Sequence, residues 1–310
     1  MNFIALSRWG VLTATAAVLT SSVPGHAAIV TACKFDTVAL KFEGDAMQQA
    51  KCLLRPVRQG AELGPVLTAL PAPLDSLIGQ SVAVTKPALR AFLTSKSIAE
   101  ADIGGSLDEP VSRGGIGAAN GPPAAYFVIH DTSSPNCSKP GCAELGKFPT
   151  NMNDASWRFN TTALVTKHPS GNPVAHMFVA RTGQSKTGHN FKTPFPAVKL
   201  EGRVPGKAAI GLFLHVENVQ PRIGKPAIPV KGRPVNDLIA PDPGFSDAQY
   251  ERLALLYVVA SVRRGQWLIP AFHAAIDAGL NDAHDDPQKF DLQKWADSLA
   301  AVMRAIRPQT

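Results

Sequence analysis

The sequence lacks several patterns that mark common functional classes. It has no G-x-S-x-G element, which argues against a serine hydrolase built on a nucleophile elbow. It has only three tyrosines, no dense Lys/Arg tract, and no helix-turn-helix, zinc-finger or RNP-like pattern. Nucleic acid is therefore not an expected partner. The formal net charge of +7 instead suits a polyanionic surface such as a cell envelope.

The chain also lacks an apolar run long enough to span a bilayer. Residues 1–27 carry one basic residue, Arg8, in their first part. A short apolar stretch interrupted by Thr and Ser follows, and the segment ends with the small residues Gly25 and Ala27. A spanning helix needs about 20 apolar residues. The pattern therefore predicts a signal peptide cleaved after Ala27. We expect a periplasmic or secreted bacterial protein with no integral membrane segment after cleavage.

Cysteine is scarce, and no C-x-x-C pair of the kind found in zinc knuckles occurs. The four cysteines all follow the predicted signal, and an even number in an exported chain favours two disulfides. Three pairings are possible. We prefer the two local ones, Cys33–Cys52 and Cys137–Cys142, over a metal site formed by the thiols.

A Gly/Pro-rich stretch, SRGGIGAANGPPAA, divides the rest of the chain into two regions. Residues 28–115 contain two possible helices and no recognisable chemistry. Residues 116–310 interleave buried strands with helices, which predicts an α/β fold. The predicted strands cover 124–130, 172–183 and 208–218, the predicted helices cover 246–265 and 291–306, and a long loop covers 219–245.

The ends of the helix predicted at 246–265 are marked by its sequence. Ser246 and Gln249 have the spacing of a capping box, in which each side chain bonds the backbone N–H of the other residue. Gly265 follows two arginines and is typical of a helix C-terminus.

Two histidines and an acidic cluster form a possible metal site. His130 ends the apolar run AAYFVIH, His273 lies in FHAAID, and the acids lie in NDAHDDPQKFDL. Two neutral imidazoles and one carboxylate are a ligand set of catalytic zinc, which lowers the pKa of its water to about 7. The chain has eight histidines, so spacing alone does not select these two.

Five stretches give this set a context, and they occur in the order AYFVIHDTSSP, VAHMFVARTGQ, FSDAQYERLALL, FHAAID and DPQKFDLQKW. Together they resemble the zinc-dependent N-acetylmuramoyl-L-alanine amidases, whose fold is shared by phage amidase-lysozymes, bacterial amidases and peptidoglycan recognition proteins. The resemblance covers about residues 120–300. It implies a mixed central β-sheet flanked by helices, with residues 28–115 as an extra N-terminal region.

The resemblance also implies the metal ligands. Carried over by position, they are His130, His273 and Asp286, and the metal is Zn²⁺. Asp285 competes for the third place. We prefer Asp286 because it directly precedes Pro287, as in the family pattern.

Two further residues are implied to take part in catalysis. Glu217 lies in AAIGLFLHVEN, which resembles a family strand whose glutamate activates water in some members. Period-two alternation puts Glu217 on the same strand face as Phe213 and His215. His284 occupies the place of a lysine that many family enzymes use, and an imidazole can also donate a proton.

The remaining histidines and some departures from the family pattern leave alternatives open. His176 and His215 either line the cleft or belong to the core, and His189 is expected at the surface. Asp131 stands where a second histidine often follows the first ligand. Ala175 replaces a tyrosine that some phage members use.

The resemblance implies an exported zinc amidase that hydrolyses the amide between N-acetylmuramic acid and L-alanine in peptidoglycan or muropeptides. The alternative is a non-catalytic peptidoglycan-binding protein of the same fold. Retention of Asp286 argues against this alternative, because loss of the third ligand is how such receptors are expected to lose zinc. The oligomeric state is left open.

Overall fold

The computed structural model describes residues 33–58, 62–135, 149, 151–157, 172–222, 239–281 and 283–306. The predicted signal peptide and the predicted Cys137–Cys142 disulfide lie outside these residues. The other predicted disulfide, Cys33–Cys52, is present. None of the helices in the described ranges combines the length and the hydropathy of a membrane-spanning helix.

The described strands form a central sheet and a separate two-stranded pair, and helices flank the sheet. The strands are β1 Phe35–Asp36, β2 Lys41–Phe42, β3 Tyr126–Asp131, β4 Met177–Val179, β5 Ser185–Thr187, β6 Phe213–Asn218 and β7 Ile269–Phe272. The helices are α1 Ala46–Leu53, α2 Leu74–Leu77, α3 Lys86–Ser95, α4 Lys199–Arg203, α5 Asp247–Arg264, α6 His273–Asp277 and α7 Leu292–Ile306, with 3₁₀ turns at Glu100–Asp102 and Pro205–Lys207 and a left-handed turn at Gly114–Gly117.

The central sheet has five strands in the order β5-β4-β6-β3-β7. Strands β4, β6, β3 and β7 are parallel, and β5 is antiparallel to β4. The prediction of a mixed central sheet flanked by helices is therefore confirmed. Since β3 lies between β6 and β7, its backbone is held on both sides.

The predicted elements differ from the observed ones mainly in the strands. The strand predicted at 172–183 is only Met177–Val179, and the short strands β1, β2, β5 and β7 were not predicted. The chain leaves β4 at a turn closed by the Ala180 N–H and the Gln184 carbonyl, 2.8 Å apart. Gly183 adopts a φ of 80° in this turn, which explains why a glycine stands there.

The two faces of β3 pack against different layers. Phe127 points to the helical layer, where its ring lies 5.3 Å from that of Tyr257 in α5. Tyr126 points to the opposite face, stacks on Phe213 at 4.9 Å and meets Phe42 edge-on at 5.4 Å. By the same alternation, His130 lies on the face of Tyr126. The N-terminal layer thus covers one part of the face that carries His130.

The N-terminal region is joined to the rest of the molecule by buried polar contacts as well as by apolar packing. The Tyr126 hydroxyl donates to Oε1 of Gln49 at 2.8 Å and accepts from the backbone N–H of Phe42 at 3.0 Å. Ahead of β7, the Trp267 N–H donates to the Gln80 carbonyl at 2.8 Å. A single cluster of buried apolar side chains runs across the predicted boundary at residue 115.

The capping box predicted for α5 is present. The backbone N–H of Gln249 donates to Oγ of Ser246 at 3.2 Å, and the backbone N–H of Ser246 donates to Oε1 of Gln249 at 3.1 Å. The Gln249 amide also donates to the Val219 carbonyl at 2.9 Å, next to the end of β6. Gly265 closes the helix with a φ of 76°. The cap therefore fixes the start of α5 to the sheet edge where the strands end.

Candidate metal centre

The three predicted ligands meet at the carboxyl ends of two neighbouring strands. His130 lies near the end of β3, His273 follows β7 as the first residue of α6, and Asp286 lies in the loop before α7. Because β3 and β7 are adjacent and parallel, their carboxyl ends share one edge of the sheet. A chain separation of 143 residues between the two histidines is thereby reduced to direct contact.

The ligand atoms converge on one point. Nδ1 of His130 lies 3.0 Å from Nδ1 of His273 and 3.4 Å from Oδ2 of Asp286. Nδ1 of His273 lies 3.0 Å from Oδ1 of Asp286. All three side chains are buried, and one ligand atom from each lies within 4.8 Å of the others. The group can therefore hold a metal ion.

The pKa values of the cluster indicate that a metal ion would replace a proton on His273. Burial, with the neighbouring His273, lowers the pKa of His130 to about 3, so this ring is neutral. Burial also opposes a charge on His273, but the carboxylates of Asp286 and Asp277 outweigh it and raise its pKa well above the usual value. A proton on His273 then lies among the three ligand atoms. Two imidazole nitrogens and a carboxylate oxygen suit zinc, which competes with protons for such atoms.

Glu217 lies beside the ligands, as the sequence predicted. It is the register partner of His130 in the neighbouring strand, and its Oε1 lies 3.9 Å from Nδ1 of His130. Its Oε2 has no hydrogen-bond partner among the described residues. Burial, together with the charges of Asp286 and Asp131, raises the pKa of Glu217 to about 8. Its side chain keeps 14% of its surface exposed, although the Oε2 atom itself is buried.

His284 lies at the rim of the same cluster. Its Nδ1 is 3.6 Å from Oδ1 of Asp286, and its ring centroid is 4.6 Å from that of His273. More than half of its side chain, 54%, is exposed. It is therefore the member of the predicted site that solvent or a ligand reaches first.

The two adjacent aspartates, Asp285 and Asp286, differ in their contacts. Asp286 points to the histidines, whereas Asp285 accepts a hydrogen bond from the Gln288 amide and lies 3.7 Å from Nη2 of Arg222. Asp131 belongs to the same network, since its Oδ2 accepts from Arg222 at 2.8 Å. Its backbone N–H, at 3.3 Å, donates to Oδ2 of Asp286 and helps to hold that ligand in place.

His176 and His189 have contacts that do not involve the candidate ligands. His176 is fully buried, its Nε2 donates to the Thr193 carbonyl at 2.9 Å, and its Nδ1 accepts from the backbone N–H of His215 at 3.1 Å. Both ring nitrogens are thus used in the core. His189 donates to the Pro173 carbonyl at 2.9 Å and stacks on Phe195 with centroids 4.1 Å apart.

Sequence reasoning missed two carboxylates that contact histidines of this cluster, Asp277 at His273 and Glu201 at His215. Oδ2 of Asp277 lies 3.0 Å from Nε2 of His273, and Oε2 of Glu201 lies 3.1 Å from Nε2 of His215. The first has a sequence signal, because His and Asp at i and i+4 share one face of a helix. The second has none, since Glu201 and His215 belong to different elements.

Comparison of the chain with protein-family models, with curated proteins and with solved structures finds no match.

Proposed function

We propose that this protein is an exported zinc-dependent amidase that cleaves the amide between the lactyl group of N-acetylmuramic acid and L-alanine in peptidoglycan or muropeptides. The observation that carries the proposal is the convergence of His130, His273 and Asp286 on one point. The sequence resemblance names these three residues, and the mixed sheet flanked by helices is consistent with the amidase fold that it implies.

His130, His273 and Asp286 would hold the ion, and they are a ligand set found in catalytic zinc sites. When bound, zinc supplies Lewis acidity, which polarises a carbonyl oxygen and makes water more acidic. Burial of the three ligands removes competing water from the side of the centre that faces the protein. The half-exposed His284 marks the side from which a substrate would enter.

Glu217 is the proton acceptor in this proposal. Its Oε2 has no partner among the described residues, and its Oε1 lies near the ligand cluster, so the carboxylate can take a proton from the attacking water. The surroundings raise the pKa of Glu217 to about 8, which opposes ionisation. A nearby divalent cation acts in the other direction and favours the carboxylate form.

His284 is the second proposed catalytic group. It can donate a hydrogen bond to the oxyanion that develops on the lactyl carbonyl, or pass a proton to the amine nitrogen of L-alanine as the C–N bond breaks. Its exposed position supports contact with a substrate, and its contact with Asp286 keeps it near the ligands.

Export and the wall substrate are supported by independent features. The Cys33–Cys52 disulfide is compatible with an oxidising compartment. The formal net charge is +7 for the full chain and +6 after removal of residues 1–27 with their single Arg8, and it favours association with an anionic wall polymer.

Mass spectrometry of defined muropeptides tests the function directly. We expect the purified exported protein to release a peptide that begins with L-alanine, to lose this activity with a metal chelator, and to regain it with added zinc. Tight zinc binding without cleavage would favour the non-catalytic peptidoglycan-binding alternative. Cleavage at another bond, or cleavage that survives the chelator, would contradict the proposal.

A further inference from the structure

A buried chain of polar side chains extends from the candidate metal centre into the core. Nε2 of His130 lies 3.0 Å from Nδ1 of His215, and Nε2 of His215 lies 3.1 Å from Oε2 of Glu201. All three side chains are at most 1% exposed. His215 and Glu201 have no part in the chemistry proposed above, and their burial has a desolvation cost that these hydrogen bonds must offset.

The direction of these hydrogen bonds follows from Glu201, the last of the three side chains. Oε2 of Glu201 already accepts from the backbone N–H groups of Ala197 at 2.8 Å and Val198 at 3.2 Å, so it is an acceptor. Nε2 of His215 must therefore donate to it. The His215 ring is fully buried, and a neutral imidazole that donates through Nε2 accepts through Nδ1. Nε2 of His130 then donates, and the lone pair on its Nδ1 faces the other two ligands.

The second histidine ligand has an equivalent support. Nε2 of His273 lies 3.0 Å from Oδ2 of Asp277, whose carboxylate accepts from the backbone N–H groups of Lys199 at 2.9 Å and Leu200 at 3.0 Å. Both N–H groups belong to α4, the helix that also carries Glu201. One short helix thus anchors the outer partners of both histidines. Outer partners of this kind fix the tautomer and the orientation of metal-binding imidazoles.

We propose that His215 and Glu201 are positioning residues of the metal centre, which hold His130 as the Nε2–H tautomer with Nδ1 directed at the ion. This inference rests on the metal centre of the proposed function. It goes beyond that function because it assigns a role to two residues that contact neither substrate nor metal.

We call the hydrogen-bonded series His130, His215 and Glu201 the relay. Two substitutions at position 215 test its two hydrogen bonds separately. The amide of asparagine reaches about as far as Nδ1 of histidine, so His215→Asn keeps an acceptor for His130. The amide of glutamine reaches about as far as Nε2, so His215→Gln keeps a donor for Glu201 but removes the acceptor for His130. We expect His215→Gln to weaken zinc binding by about 10- to 100-fold, the usual loss for such partners, and His215→Asn to weaken it clearly less.

Zinc affinity is measured by competition with a chromophoric chelator, and His189→Gln is the matched control. His189 is also hydrogen-bonded and stacked, but its partners are Pro173 and Phe195, so its substitution should leave zinc affinity unchanged. Circular dichroism and thermal unfolding of each variant show whether it is folded. Equal zinc affinity of His215→Gln and the wild type would overturn the relay.

The tautomer can also be read directly in the wild-type protein. Long-range ¹H–¹⁵N correlation spectra of the metal-free chain should show His130 and His215 as Nε2–H tautomers, with His130 assigned from the signal lost in His130→Gln. A hydrogen on Nδ1 of His130 would overturn the proposal even if both variants at position 215 failed to fold. If the wild type bound no zinc at all, the metal centre itself would be wrong, and the relay would be wrong with it.

Discussion

His130 illustrates how a strand can aim a single imidazole. Its backbone pairs with Glu217 of β6, one residue beyond the last pair of β3 with β7, and its carbonyl accepts from the Asn218 side chain at 2.9 Å. Its ring extends past the apolar part of the strand towards His273 and Asp286. A ligand on such an element is held more precisely than one on a free loop. An apolar run that ends in histidine can be read from the sequence, but the partners of that histidine depend on strand register and order.

The adjacent aspartates provide a sharp test of ligand choice. Asp286→Asn should remove most zinc binding, because it replaces a carboxylate that contacts both histidines. Asp285→Asn should keep near-normal zinc affinity, because Asp285 contacts Arg222 and Gln288 instead. Metal content after dialysis, measured by plasma mass spectrometry, distinguishes the two variants. Loss of zinc from Asp285→Asn alone would reverse the assignment.

Glu217→Gln tests the proton acceptor. The amide keeps the shape of the side chain but cannot take a proton, so zinc content should stay the same while turnover falls by roughly 10²- to 10⁴-fold, the usual contribution of general acid–base groups. Single-turnover rates on a defined muropeptide, together with metal content, give the two readouts. A variant with full turnover would show that Glu217 has no part in the mechanism.

At the level of elements, the two missed strands of the central sheet, β5 and β7, lie at its two edges. Strand β7 contains Pro270, which discourages a strand assignment but is tolerated at an edge. Strand β5 is the polar segment Ser185–Thr187, which is only partly buried and has no apolar alternation. The three strands that were predicted, β3, β4 and β6, are the interior ones. Their burial on both faces gives them the apolar runs that a sequence reveals.

The capping box of α5 makes a prediction at the same level. Oγ of Ser246 accepts from the Gln249 N–H and also donates to the Arg181 carbonyl at 2.5 Å. Ser246→Ala should therefore reduce the free energy of unfolding by about 1 kcal/mol or somewhat more. Ser76→Ala, at an exposed serine that donates to the Pro73 carbonyl, is the control and should have a smaller effect. Urea titration followed by circular dichroism measures both.

At the scale of the whole molecule, the sequence did not predict how the N-terminal region packs against the rest of the protein. The boundary at residue 115 follows from glycines and prolines, and nothing local shows that Phe42 and Gln49 contact Tyr126 across it. These contacts join residues more than 70 positions apart, and a local pattern carries no information about such pairs. The three candidate ligands were predicted because a family resemblance supplied their order. The carboxylates of Glu201 and Asp277, which contact His215 and His273, were missed because that resemblance did not include them.

The shared core leads to a prediction about unfolding. Because Phe35, Leu89 and Tyr126 belong to one cluster of buried side chains, the N-terminal region and the sheet should unfold in a single cooperative transition.

The Cys33–Cys52 disulfide closes a loop with a sequence separation of 19. In the chain-entropy account, its removal in a Cys33→Ala/Cys52→Ala variant should reduce the free energy of unfolding by about 3 kcal/mol. Differential scanning calorimetry should show one peak for both proteins, at a lower temperature for the variant. Two separate peaks, with only the first moved by the substitutions, would instead make residues 33–115 an independent folding unit.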